Sequence, residues 1–536
     1  MDTSPPTPSP PSPSGLPAQT QTQLQHAAVI GLLRSGTTPG SGDARHLQQL
    51  LGGLTTEVAR FDAVIAAKET EISQVKEARE SLQRYASATE SLLAPIRRLP
   101  PELLGKVFVA LIALPSVNET RLERLGNARV VRITGVCYLW HSLVHKTPQL
   151  WTNIHANIDD SVPPALAEHL IAVSLQRSAG LPLDVHVQLR PMWTLGLFQT
   201  LLDQCERWEN AELALSHAHV ELLSAARPRF PLLETLDLLD MSLTGMEQLD
   251  TFQHAPLLSH VTVYDDPPLL PWSQIREIFS YIGHLASNAD ELQGIFGFVG
   301  HCSTLCTVVI PEIHLDMTTR WTLPPSPTII SNVGALRIGI SNIDDAAPPT
   351  RRIIGSLLAL LNLPDLRQLV IHSASATALL WPQEAFSAFC LRSSSITRLR
   401  LADVLITHDE LIASLRSLSA LRELALEDVH DPKHLVVTDQ LLSRLSWAAD
   451  AGSECLVRDL RYMSLRAFFE CADAALLTMV ESRAHVHRPF RLEATVLSAQ
   501  TDDPNHASAV ALATGTRLTA LFAGLVKHEE LQFHML

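Results

Sequence analysis

The sequence predicts a multidomain protein of mixed class, α followed by α/β. A long N-terminal helix leads into a small all-α domain and then a repetitive α/β solenoid of parallel strands. Three observations carry this. Apolar residues recur every seven positions between His46 and Leu93. Two short apolar helices fall between residues 94 and 156. A Leu-x-x-Leu-x-Leu unit then recurs along most of the remaining chain. The expected divisions are a Pro/Ser-rich disordered tail at 1–42, a coiled-coil-like helix at 43–93, an all-α domain at 94–156, a solenoid at 157–500 and a helical cap at 501–536.

Composition agrees with this division. A chain of 536 residues exceeds one ordinary domain. Hydrophobic residues make up 46% but aromatics only 5%, so the core is chiefly leucine, alanine and valine, as in repeat proteins. The net charge is −15 and no basic run interrupts it. Such a chain offers no phosphate-binding stripe, so neither nucleic acid nor an acidic membrane surface is an expected partner. The cysteines (Cys137, Cys205, Cys302, Cys306, Cys390, Cys455 and Cys471) are odd in number, scattered and mostly flanked by apolar residues. That is the usage of a cytoplasmic and/or nuclear protein with reduced thiols. No basic-then-apolar leader and no run of about eighteen apolar residues is present, so neither a signal peptide nor a membrane span is expected.

Taken in order, the first segment, MDTSPPTPSPPSPSGLP, has almost nothing to bury, and its prolines oppose both helix and sheet. Ser4, Thr7, Ser9 and Ser12 each precede a proline, a pattern that proline-directed kinases favour. The heptad segment has one row through Leu47, Leu54, Phe61, Val75 and Leu82 and another through Leu51, Val58, Ile65, Ile72, Ala86 and Leu93. These are the a and d rows of a coiled coil, interrupted at Lys68 and Arg79. The helix is expected to dimerise the protein, fold back on the chain, or stand as a solvated spacer.

Leu99-Pro100-Pro101-Glu102-Leu103-Leu104 opens the next helix. Proline costs nothing in a first helical turn, and Glu102 complements the dipole there. Leu103, Val107, Phe108 and Leu111 recur at helical spacing. After a polar spacer, Pro115 to Gly135, a second helix is expected to carry Val136, Trp140 and Val144. Thr147-Pro148 stops it, and Leu150 and Trp151 follow.

This order resembles the F-box: Leu-Pro-x-Glu-Leu, an apolar helix, Val-Cys-x-x-Trp, and a final Leu-Trp. The resemblance covers about sixty residues and departs from the pattern in its longer spacer and in Tyr138 and Leu139, where basic residues are common. It implies a non-enzymatic substrate-recognition subunit that docks on the Skp-type adaptor of a cullin-type (SCF) ubiquitin ligase. The residues carrying it are Leu99, Pro100, Leu103, Val107, Phe108, Leu111, Val136, Cys137, Trp140, Leu150 and Trp151. Some belong to the domain's own core and some face the adaptor, and sequence does not separate them.

The repeated unit occurs as Leu233-x-x-Leu236-x-Leu238, Leu258-x-x-Val261-x-Val263, Leu305-x-x-Val308-x-Ile310 and Val333-x-x-Leu336-x-Ile338. It continues as Leu366-x-x-Leu369-x-Ile371, Ile396-x-x-Leu399-x-Leu401 and Leu421-x-x-Leu424-x-Leu426, with Leu460-x-x-Met463-x-Leu465 last and Asn210-x-x-Leu213-x-Leu215 a degenerate first copy. Most copies lie about 25 to 33 residues apart, the long end of leucine-rich-repeat spacing. Each Leu-x-Leu pair is expected on a short parallel strand, with helices such as Asp409 to Leu418 returning the chain. The asparagine that often follows the strand is mostly absent. The whole arrangement resembles a group of fungal F-box-like proteins, through Arg207-Trp208, Leu270-Pro271-Trp272-Ser273-Gln274 and the stretch from Leu476 to Arg483 (LLTMVESR). The solenoid is expected to present a concave strand face to an unknown protein target.

No chemistry-bearing motif competes with this. There is no Gly-x-Ser-x-Gly, no phosphate loop ending in Gly-Lys-Ser/Thr and no His-Glu-x-x-His. The pairs His217/His219, His485/His487 and Cys302/Cys306 lack a third ligand at recognisable spacing, and Gly300-His301-Cys302 lacks a base for its thiol. No catalytic residue, metal or cofactor is expected. The alternative function keeps the solenoid and drops the ligase: a scaffold binding protein partners through its repeats and coiled coil.

Overall fold

The computed structural model describes residues 26, 29–36, 38, 40–113, 128–158, 163–189, 192–239, 249–264, 266–281, 285–286, 288–315, 326–342, 352–374, 378–427, 436–447, 455–467, 471–486, 490–496 and 531–533. The proline-directed sites of the tail, most of the expected C-terminal cap and the His485/His487 pair's second member lie outside them. The three described residues near the C-terminus, Leu531–Phe533, form a strand. Two units divide at Pro100.

The first unit is dominated by one helix, α1 (Ser41–Leu93), of 53 residues and so about 80 Å long. None of its residues is buried, and apart from the partly covered Leu47 both heptad rows, including Phe61, Ile65 and Ile72, stand exposed. Replacing Ile65 with proline removes a backbone donor from the helix middle, at a cost of about 3 kcal/mol or more. Circular dichroism of the full chain is expected to show a loss of helix; an unchanged spectrum would contradict a continuous α1.

The second unit starts with a small helical bundle: α2 (Pro101–Ala113), α3 (Ala128–Thr134), α4 (Tyr138–His145) and a 3₁₀ turn at Pro148–Trp151. Helix α3 lies inside what the sequence suggested was a polar spacer. Its Val130 and Ile133, one turn apart, are both buried in the bundle core, which is why the segment folds. Val136, expected on the second helix, precedes it in a turn, and Cys137 is the N-cap of α4.

Among the described residues a fifteen-stranded sheet follows, with its neighbouring strands paired in parallel. Its strands run in chain order from Asn153–Ile158 to Leu531–Phe533, with the two-residue strand Leu285–Ala286 attached at the side of Thr307–Leu315. The sheet therefore begins directly after the bundle. Two strands, Asn153–Ile158 and Leu183–Leu189, precede the first repeat recognised in sequence, and Glu277–Ser280 fills the wide gap after Val263. In the last, Ile275 and Ile278 take the first two apolar positions and buried Ser280 the third.

Strand alternation sets the two faces. Leu236, Leu238, Leu369, Ile371, Leu399, Leu401, Leu424 and Leu426 are buried, while Arg400 between two of them is exposed and Asp237, Val370 and Ala425 are half-buried. Helices such as His408–Arg416, with its Thr407/Glu410 capping box, cover the buried side. One repeat departs from the pattern: Leu305 is exposed and Cys306 takes the buried place. Pro311 lies inside the continuous strand Thr307–Leu315, and the register shifts opposite it at Gly339, where a Cβ would collide with the Pro311 carbonyl. Leu399→Ala is expected to cost about 2–5 kcal/mol, and Arg400→Ala less than about 0.5 kcal/mol. Urea denaturation of both variants checks the assignment of faces.

The work of the missing asparagine is done by long side chains reaching back to the preceding repeat. Arg207 donates to the Leu181 carbonyl at 3.0 Å and to Ser178. Gln274 donates to the carbonyls of Ala255 and Leu258 at 2.6 and 3.0 Å. Arg392 donates to those of Leu358 and Leu361. Arg483, wholly buried, donates to Leu445, Val457, Arg458 and Leu456. Three of these four lie in the late motifs for which the sequence offered no chemistry.

Candidate functional site

Helix α2 carries two adjacent apolar stripes, about 100° apart on a helix of 3.6 residues per turn. Leu104, Phe108 and Ile112 point into the bundle, where Phe108 meets Trp140 edge-on at 4.8 Å between ring centroids. Leu103, Val107 and Leu111 form the second stripe, exposed to 49%, 46% and 51% against 1% for Phe108. On the same bundle Val131, Val136, Tyr138 and Leu139 are also exposed.

The structure thus separates the residues that sequence left together. Phe108, Leu150 and Trp151 are core, and Trp140 packs against that core, so these four shape the bundle. Cys137 is half-buried. Leu103, Val107, Leu111 and Val136 are the surface group. Leu99 and Pro100, at the end of the first unit, are each exposed. Tyr138 and Leu139, noted in sequence only as departures from a pattern, are further exposed apolar groups; nothing in the periodicity distinguished them from core.

Polar contacts hold the bundle in shape. Arg129 donates to the Ile112 carbonyl at 3.2 Å, tying α3 to the end of α2. Trp151 donates its indole N–H to the Val144 carbonyl at 3.0 Å, and Thr147 caps the Leu143 carbonyl. His145 stacks on Trp151 and meets His141 at 3.0 Å; desolvation first, then Arg177 and His141, hold its pKa below the usual value. Arg177, at the end of the helix Pro164–Arg177, lies 4.6 Å over the Trp151 ring. That helix buries Ala167 and Ile171 in the sheet core while Val173 packs on the bundle core, so it rivets bundle to sheet.

The second candidate surface is the open face of the sheet. Its central row is continuous in register: His155, His186, Glu212, Asp237, Thr262 and Phe279, then Val309, Arg337, Val370, Arg400, Ala425, Ser464 and Glu493. The first half carries imidazoles and carboxylates. His155 and His186 stack at 4.5 Å, and His186 shares a hydrogen bond of 2.9 Å with Glu212. That bond lowers the Glu212 pKa, whereas burial raises that of Asp237.

The remaining candidates have structural positions. His217 and His219 sit on a helix, His217 outside beside Glu221 and His219 buried against Thr194 at 2.8 Å. Cys302 and Cys306 are buried neighbours, and their contact together with burial pushes the Cys302 thiol pKa up, away from nucleophilic chemistry. Trp208 is buried, and Trp272 is partly buried between Phe298 and His301. Among the described residues no cluster of three or more His, Cys, Asp or Glu could hold a metal, and no helix is long and apolar enough to cross a membrane. No protein-family model matches the chain, and no curated protein is similar to it in sequence.

Proposed function

We propose that this chain is a substrate receptor of a cullin-type ubiquitin ligase. The helical bundle docks on a Skp-type adaptor, and the open face of the sheet binds the protein to be modified. The observation that carries the reading is the exposed Leu103/Val107/Leu111 stripe beside a fully formed core. A monomer gains nothing by exposing such a stripe, whereas a partner covering it gains about 1.5–3 kcal/mol per side chain fully buried. The resemblance of the flanking motifs to the F-box names that partner. Catalysis then belongs to the other subunits, and this chain contributes selection.

The test is capture from a lysate of the source cell by the tagged full chain and by a chain lacking residues 94–152, which ends the deletion before the first strand of the sheet. Adaptor and cullin are expected with the first and not the second. Their absence from both would leave the solenoid as a scaffold without a ligase.

Helix α1 is assigned as a dimerisation segment, on the strength of its two uncovered heptad rows. Light scattering of the full chain is expected to give twice the monomer mass at micromolar concentration. A monomer there would make α1 a spacer.

A further inference from the structure

The open face changes character along its length: its second half gathers arginines, in slight excess over glutamates, although the chain as a whole is strongly acidic. A groove of about 420 Å³ lies over the strands from Ala335–Asn342 to Arg491–Val496. Its floor is made of short side chains, Val370, Ala425 and Ser464, each aligned with the next arginine or glutamate of the central row. Its charged lining consists of Arg337, Arg398, Arg400 and Arg466 against Glu423, Glu427 and Glu493.

Internal pairing does not use this charge up. Glu427 takes both Arg400, at 3.3 Å, and Arg466. Glu493 takes Arg491 and the Tyr462 hydroxyl, the latter at 2.7 Å. Glu423 stands next to Arg398 in register, but no ion pair joins them. Arg337 and Arg398, both exposed, therefore have no acidic partner among the described residues. Arginine placed this way, with its fork unoccupied, suits a carboxylate from outside.

We infer that this groove binds an extended, aspartate- or glutamate-bearing segment of a protein partner, gripped by Arg337, Arg398 and Arg400. The inference rests on the receptor reading only in taking the open face as the target-binding side. Spacing supports a peptide with separate acidic residues. Arg337 and Arg400 share a row two strands apart, about 10 Å between backbones at about 4.8 Å per strand. A peptide in the extended polyproline II conformation, with three residues per turn and about 3.1 Å rise per residue, covers that distance in three residues and brings its side chains back to the same face. Arg398 lies two residues before Arg400 on the same strand face. Guanidinium groups rooted so far apart meet separate carboxylates more readily than they converge on one phosphate. The small floor residues leave room for the peptide backbone between them.

The test uses the full chain and an array of short fluorescent peptides carrying pairs of glutamates at every spacing from adjacent to five apart, each with a glutamine counterpart. A single-stranded oligonucleotide and heparin serve as polyanion competitors, and capture of the adaptor is measured on the same preparations. Acidic peptides with a three-residue spacing are expected to bind most tightly, to weaken as salt is raised, and to lose at least tenfold in affinity with Arg337→Ala plus Arg398→Ala. The double Arg→Lys variant is expected to retain more binding than the alanine pair. Both pairs are exposed and unpaired, so their melting temperatures should match the parent. Equal binding of glutamate and glutamine peptides, or unchanged binding by the alanine pair, would overturn the inference. So would an oligonucleotide that binds in place of the peptides through the same arginines. Adaptor capture without peptide binding would overturn this inference alone. Peptide binding without adaptor capture would overturn the receptor assignment alone.

Discussion

Arg483→Met is expected to destabilise the solenoid by about 3–5 kcal/mol, the scale for leaving several buried carbonyls without their donor. The side chain is wholly buried and donates to four carbonyls, those of Leu445, Leu456, Val457 and Arg458, three of them at 2.6–2.7 Å. Methionine fills similar volume but leaves those carbonyls without a donor, and each unsatisfied buried group costs about 1–3 kcal/mol. Two further facts sharpen the expectation. Burial also draws the guanidinium pKa below its ordinary value. Val457 is held at φ +49°, a left-handed conformation that a β-branched residue adopts only when its surroundings impose it. The Arg483 bond to its carbonyl is part of what imposes it. Urea denaturation of the full chain gives the measurement. A loss under about 1 kcal/mol would mean that water replaces the guanidinium and that the turn holds itself.

The second large effect is on partner binding. Leu103→Asp together with Val107→Asp is expected to abolish adaptor capture while leaving the melting temperature within a few degrees. Both residues are about half exposed, so carboxylates there stay in water in the free protein. In a complex they would be desolvated without a partner, which is far more costly than the lost apolar contact. Phe108→Ala is the contrasting change. It empties a site that is 1% exposed and touches Trp140, and is expected to cost about 3–5 kcal/mol. Binding lost with Phe108→Ala but retained with the aspartate pair would place the contact elsewhere on the bundle.

How much of this was legible in the sequence follows from what each pattern constrains. The Leu-x-Leu copies were readable because strand alternation forces residues such as Leu399 and Leu401 inward, and a charged residue such as Arg400 between them fixes the wet face. The copy at Glu277–Ser280 escaped because its third apolar place is the buried Ser280. The strands Asn153–Ile158 and Leu183–Leu189 alternate cleanly, but lack the spaced first leucine that marks the later units. Helix α3 is too short for a periodicity to declare itself, and only burial of Val130 and Ile133 shows it. The division of α2 into core and surface stripes was invisible in principle. Both stripes are apolar with the same four-residue spacing, and only the position of Trp140 and Trp151 decides which one is covered. Arg207, Gln274 and Arg483 stand out in sequence only as parts of motifs without a stated role, and Arg392 does not stand out at all, because nothing local reveals a hydrogen bond to a carbonyl one repeat back.

The central claim is that the bundle is a docking module for a Skp-type adaptor, and the most direct measurement is binding of the two purified proteins. Isothermal titration of the adaptor into the full chain is expected to give one adaptor per chain, with a negative heat-capacity change from burial of the Leu103/Val107/Leu111 stripe, and no heat with the Leu103→Asp, Val107→Asp variant. A titration that shows no binding by the parent chain, or equal binding by the variant, would contradict it.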